Sequence, residues 1–258
     1  MAKYFSTLHE YRNHPHNDWG LRLTRSIAKL FLHKMDTVRL CGKAEDEEGP
    51  VLYICNHAKV RGPLSMMTFF DRKVRPWVIS NVCFLKTYPA FARLDFFPWK
   101  SRAGKALAWL LSYITAPFAV LLFSGCECIP SFFDKRIIYT LKKTVETLEE
   151  GVSVLIFPEE RKYYSKYIEK FQSGFAVVAK QYYKKTGKIL KMVPVYVSHY
   201  ANSITVGEAE PFDPNNGFEL EKQRLAHCMR DRIEEMAENI GGPALYSREG
   251  YKTAGMED

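Results

Sequence analysis

The chain has 258 residues, 47% of them hydrophobic and 14% aromatic, which excludes a disordered chain and allows one large α/β domain or one domain with appendages. Its formal net charge of +8 suits an anionic partner (lipid headgroups, a phosphorylated substrate or nucleic acid) and does not choose among them. The six cysteines are scattered without zinc-ligand spacing, which reads as reduced thiols in a cytosolic compartment.

Residues 1–19 are polar, carry His9, His14 and His16, and show no apolar run of signal-peptide type. Residues 20–35 predict a helix, with Leu23, Ile27, Leu30, Phe31 and Met35 at helical spacing and Arg22, Arg25, Lys29, His33 and Lys34 around them. It reads either as a domain helix with a solvated basic face or as an interfacial helix on anionic lipid. After an acidic turn over 42–50, residues 51–55 predict a buried strand that ends at Asn56-His57. Gly62-Pro63 marks a helix start, with Gly at the N-cap, and residues 76–80 predict a second strand.

Residues 106–126 contain no charged side chain, follow Lys100, Arg102 and Lys105, and approach the ~20 residues that span a bilayer. A single crossing would separate His57 from Glu159. The segment therefore reads as a buried helix broken at Pro117 or as a kinked hairpin dipping into one leaflet. Residues 134–150 predict an amphipathic helix closed by Gly151, and 152–157 a strand that follows directly. A helix over 171–186, strands over 189–197 and 204–206, and a charged helix over 217–240 complete the pattern. Alternating helices and strands predict an α/β fold, a mainly parallel mixed sheet flanked by helices.

Two strand ends carry the candidate chemistry. In open α/β sheets the carboxyl ends of parallel strands hold the site. His57 is suited to take a proton near neutral pH, and Asn56 to hold its loop through backbone hydrogen bonds. The bland alternative is a hydrogen-bonded loop histidine. In Phe157-Pro158-Glu159-Glu160-Arg161-Lys162, the two bases suit a phosphate and the acids suit steadying them; the alternative is a self-paired surface turn. There is no Gly-x-Ser-x-Gly elbow, Walker loop, Gly-x-Gly-x-x-Gly, zinc motif or nucleic-acid module.

In order and spacing these segments resemble the glycerolipid acyltransferase family, whose best-known members are the 1-acylglycerol-3-phosphate acyltransferases. The family's Asn-His-x-x-x-x-Asp-Pro is matched by Asn56-His57-Ala58-Lys59-Val60-Arg61-Gly62-Pro63, with Gly62 in place of Asp. Its Phe-Pro-Glu-Gly-Thr-Arg followed by Phe-x-x-Gly is matched by Phe157–Lys162 and by Phe171-Gln172-Ser173-Gly174. Val193-Pro194-Val195 and Ile204-Thr205-Val206-Gly207-Glu208 echo later motifs, and Ile129-Pro130-Ser131-Phe132-Phe133 faintly echoes an earlier one.

The resemblance implies an acyltransferase-like domain over 42–245, after an N-terminal arm and basic helix (1–41) and before an irregular tail (246–258). It implies His57 as general base, with Asn56, Gly62 and Glu159 in supporting positions. Arg161 and Lys162 would be ligands of the acceptor phosphate. The reaction implied moves a fatty acyl group from acyl-CoA or acyl carrier protein to a hydroxyl of a lysophospholipid or glycerol-phosphate-type acceptor. No metal and no cofactor are implied beyond that co-substrate, and membrane lipids are the expected partner, not nucleic acid. The location implied is the cytoplasmic face of a membrane, peripheral or monotopic. For the Asp that Gly62 replaces, three substitutes are open: a distant carboxylate (Asp71 or Asp95), a backbone carbonyl that fixes the tautomer, or loss of catalysis in a relative that only binds lipid or acyl carrier.

Overall fold

The structure is a computed structural model and describes residues 22–23, 25–26, 29, 33–41, 49–57, 61–159 and 171–240. In chain order the described strands are β1 (Asp36–Arg39), β2 (Leu52–Cys55), β3 (Val74–Ile79), β4 (Ile129–Ser131), β5 (Ser153–Ile156), β6 (Lys191–Ser198), β7 (Ser203–Val206) and β8 (Glu210–Pro211). The described helices are α1 (Arg61–Phe69), α2 (Tyr88–Asp95), α3 (Arg102–Gly125), α4 (Ile137–Glu149), α5 (Phe175–Thr186) and α6 (Phe218–Ile240). The described residues divide between two compact units, the larger within 28–75 and 141–258 and the smaller within 1–27 and 76–140.

The larger unit holds a sheet in the order β1-β7-β6-β2-β5, with β8 paired to β6. β2 pairs in parallel with both β5 and β6, and β1 with β7, whereas β6 meets β7 and β8 antiparallel. Every residue of β2 and β5 is buried, as central parallel strands covered on both faces require. Tyr53, Cys55, Leu155, Val193, Val195 and Ile204 form the centre of one core, into which Met66 and Phe70 pack after the chain turns through α1. On the sheet's flanks, α1 and α6 pack on β6 and α5 packs on α6. The expected class, a mainly parallel mixed α/β sheet flanked by helices, is what the chain adopts.

Pro194 occupies central strand β6, where a missing N–H would normally break a ladder. The break is placed where it does least harm. The Pro194 carbonyl accepts from Gly207 N at 2.9 Å, just beyond the last residue of β7, so the absent donor faces the point where that strand ends. Gly207 is required there because a Cβ would stand 2.9 Å from Pro194 Cγ. At the other side of the sheet, Gly151 turns α4 into β5 with a φ of 78°, a conformation glycine adopts without steric cost.

In the smaller unit β3 and β4 run parallel, with Trp77 opposite Ile129, and α2 packs along α3. Val82, Cys83, Tyr88, Phe91, Ala92 and Ala116 form its core. Ser101 caps α3, its hydroxyl accepting from Gly104 N at 3.0 Å.

Three expectations change. The 106–126 segment is neither a buried helix nor a hairpin: α3 is one continuous 24-residue helix with Pro117 inside it. Pro117 sits on the exposed side of the helix. Gly62 is not an N-cap, because α1 already includes Arg61. The helix expected over 20–35 is shorter at its end: Arg22, Leu23, Arg25, Ser26 and Lys29 are helical, but His33, Lys34 and Met35 are not.

Candidate active site

Strand β2 delivers Asn56 and His57. Asn56 is fully buried, and its carboxamide pairs with one residue of β6: Oδ1 accepts from Val197 N at 2.7 Å and Nδ2 donates to Val197 O at 3.2 Å. Its own backbone N–H donates to Val195 O at 3.4 Å. The side chain thus continues the β2–β6 ladder one step past the end of the strand, which fixes the backbone from which His57 departs. The His57 imidazole meets the Phe157 ring edge-on, with centroids 5.4 Å apart and planes at 67°. Its Nδ1 is shielded from solvent.

Strand β5 delivers Phe157, Pro158 and Glu159 beside them, since Ile54 and Ile156 are register partners in adjacent parallel strands. Glu159 forms an antiparallel bridge with Phe171, and Gln172 N donates to Pro158 O at 3.0 Å. The two pieces of the Phe-Pro-Glu and Phe-x-x-Gly pattern are therefore stapled together at the base of segment 160–170. Phe171 then stacks edge-on against Phe175 in the first turn of α5, centroids 5.9 Å apart.

Glu159 is also felt on β2 and, one strand further, on β6. Burial first, then the Glu159 charge, pushes the Cys55 thiol well above its ordinary value, which keeps it protonated and inert. Burial and the same carboxylate raise the Tyr196 hydroxyl, against a smaller downward pull from Ser198. Tyr196 was not singled out from sequence. The signal was there: Tyr196 and Ser198 are the hydroxyl-bearing side chains at the carboxyl end of a strand that otherwise reads as apolar.

Other site candidates fall differently. Gly62 is buried in the first turn of α1 and brings no side chain. Both oxygens of Asp71 are taken by Arg39, at 2.8 Å each, and that bonded guanidinium lowers the Asp71 carboxyl below its ordinary value. As an orienting partner for His57 it is thus already committed elsewhere. Asp95 ends α2 in the smaller unit. Arg161 and Lys162 lie outside the described residues. None of the six cysteines is disulfide-bonded, and among the described residues no three His, Cys, Asp or Glu side chains cluster as a metal site would.

The chain is similar to the crystal structure of the 1-acyl-sn-glycerophosphate (LPA) acyltransferase, PlsC, from Thermotoga maritima, at a TM-score of 0.45 and 14% sequence identity, over 83% of this chain and 79% of that one. No family model and no curated protein matches the chain.

Chemically, the arrangement presents an imidazole with one nitrogen enclosed, on a backbone held by the Asn56 bonds to β6. A carboxylate sits on the next strand, at the mouth of a segment that carries two further cations in sequence. Such a site can remove a proton from a bound hydroxyl and hold an anionic group nearby.

Proposed function

We propose that the protein is an acyltransferase that moves a fatty acyl group from acyl-CoA or acyl carrier protein to a hydroxyl of a lysophospholipid or glycerol-phosphate-type acceptor. The observation that supports this best is the delivery of Asn56-His57 and Phe157-Pro158-Glu159 from the ends of adjacent parallel strands, with the His57 and Phe157 rings in contact. In this reading His57 Nε2 takes the acceptor proton as the hydroxyl oxygen attacks the thioester carbonyl. The tetrahedral intermediate collapses, the C–S bond breaks, and the imidazolium returns the proton to the leaving thiolate. Arg161 and Lys162 bind the acceptor phosphate, and Glu159 steadies that segment. The reaction takes place at the cytoplasmic face of a membrane, where acceptor and product are lipids. Purified protein given acyl-CoA and a panel of lysophospholipids then releases CoA in an acceptor-dependent way, and replacing His57 by alanine abolishes the release.

A second reading has a specific observation in its favour. Gly62 offers His57 no carboxylate, and Asp71 is engaged by Arg39. On this reading the protein binds lipid or acyl carrier without turnover. Gly62→Asp separates the two: activity gained by that variant from a silent wild type marks a relative that has lost catalysis.

A further inference from the structure

Helix α3 is built inside out for a helix in water. Its packed side is small: Ala108, Ser112, Ala116 and Val120 are buried. Its solvent side is large and apolar: Leu107, Leu110, Ile114, Phe118 and Leu121 are 48, 49, 51, 70 and 39% exposed. Those five recur three or four residues apart and so form one stripe along the helix. An exposed apolar stripe of this extent marks an interaction surface. No charged residue interrupts the run between Lys105 and Glu127.

The cations identify what covers it. Lys100, Arg102 and Lys105 are exposed at the start of α3. Lys105 precedes Ile114 by two and a half turns, which puts it opposite the stripe, on the line of Ala108 and Ser112 but exposed before that packed line begins, and Arg102 is within about a sixth of a turn of Lys105. Asp95, beside Arg93 at the end of α2, is the acidic residue near that end in the chain. An apolar face backed by cations is the pattern of a helix lying in the surface of an anionic bilayer. Trp109 and Tyr113, exposed and with tilted rings 4.9 Å apart, lie beyond the edge of the stripe, at the level where interfacial aromatics sit.

At about 36 Å the helix is long enough to span a bilayer core, but its start is cationic and its end leads within four residues into β4, which pairs with β3. The chain also leaves β2 and returns to β5 beside it, which rules out a single crossing between them.

We propose that α3 is an interfacial anchor that lies flat on an anionic leaflet, its apolar stripe in the acyl region and Arg102 and Lys105 among the headgroups. This deepens the membrane-facing part of the reading above and is tested apart from its chemistry, because vesicle binding and turnover are separate readouts. The full chain is floated with vesicles of phosphatidylcholine mixed with phosphatidylglycerol, and with phosphatidylcholine alone.

The expected result is flotation with the mixed vesicles, reduced at least about tenfold by Leu110→Glu with Phe118→Glu. Arg102→Gln and Lys105→Gln each weaken binding about fivefold on the anionic vesicles only. Leu220→Glu, at an exposed site on α6, changes nothing. Should the double variant misfold by circular dichroism, Leu110→Ser and Phe118→Ser replace it. The Trp109 signal, taken against Trp109→Phe, is quenched more by lipid brominated near the headgroup than near the chain end. Absence of flotation, or undiminished flotation of the stripe variants, overturns the proposal, and stronger quenching from the chain end overturns the flat orientation. Self-association that Leu110→Glu abolishes, without vesicle binding, assigns the stripe to a second copy and also overturns it.

Discussion

At Asn56 a side chain takes over from the backbone. Its carboxamide closes both hydrogen bonds of Val197 in a fully buried position, and a shorter residue leaves that N–H and C=O without partners. Each stranded buried group costs about 1–3 kcal/mol, so Asn56→Ala is expected to lower stability by about 2–4 kcal/mol. Urea denaturation should show the midpoint fall with the slope unchanged; a midpoint equal to wild type would remove the claim that this clamp sets the His57 loop. Glu221 is the second informative residue. It is fully buried and accepts from Asp213 N at 2.9 Å, Asn216 Nδ2 at 3.0 Å and Arg224 Nε at 2.8 Å. Burial pushes its carboxyl up, but those bonds together outweigh burial and hold it at about 2. A depressed carboxylate stabilises the fold fully above its unfolded value of about 4.5 and progressively less as pH falls toward 2. Wild-type stability should therefore fall between about pH 5 and pH 2, and Glu221→Gln should flatten that slope in thermal melts taken across the range.

The elements show why some of the chain was legible in sequence and some was not. Strands β2, β5 and β6 and helices α4 and α6 were legible, because long apolar runs or 3.6-residue periodicity leave one good solution. β1, with its alternating exposed and half-buried Asp-Thr-Val-Arg, carries no such pattern and exists through pairing with β7. β4 is three residues with a proline at its centre, and α2 is eight residues beginning Tyr88-Pro89, both too short for periodicity to register. Helix α3 was visible as apolar, but apolarity alone does not tell a buried helix from one that exposes its apolar side; its small packed side and large outer side needed a structure. In the site, the strand ends and His57 could be read from residue types. The Asn56 clamp, the pairing of Asp71 with Arg39 and the nearness of Tyr196 to Glu159 depend on contacts distant in sequence. The Pro194–Gly207 contact makes its own prediction: Gly207→Ala forces a Cβ to within 2.9 Å of Pro194 Cγ and should destabilise by about 1–3 kcal/mol, read as a lower Tm. An unchanged Tm would mean that the strand end yields freely.

At the scale of the molecule, each unit has its own core and its own surface chemistry. In the larger one, a parallel sheet brings an imidazole and a carboxylate to neighbouring strand ends. In the smaller one, α3 exposes an apolar stripe with cations at its start. The net charge of +8 fits a phosphorylated acceptor and an anionic lipid surface together. The general-base role proposed for His57 in acyl transfer is read out by thiol release. Acyl-CoA is supplied with and without lysophosphatidate, and free CoA is followed for wild type and His57→Ala side by side, both checked for folding by circular dichroism. With His57 as the base, wild type releases CoA in an acceptor-dependent way and the variant loses at least about 10²-fold of that rate. Equal rates for the two proteins would contradict it.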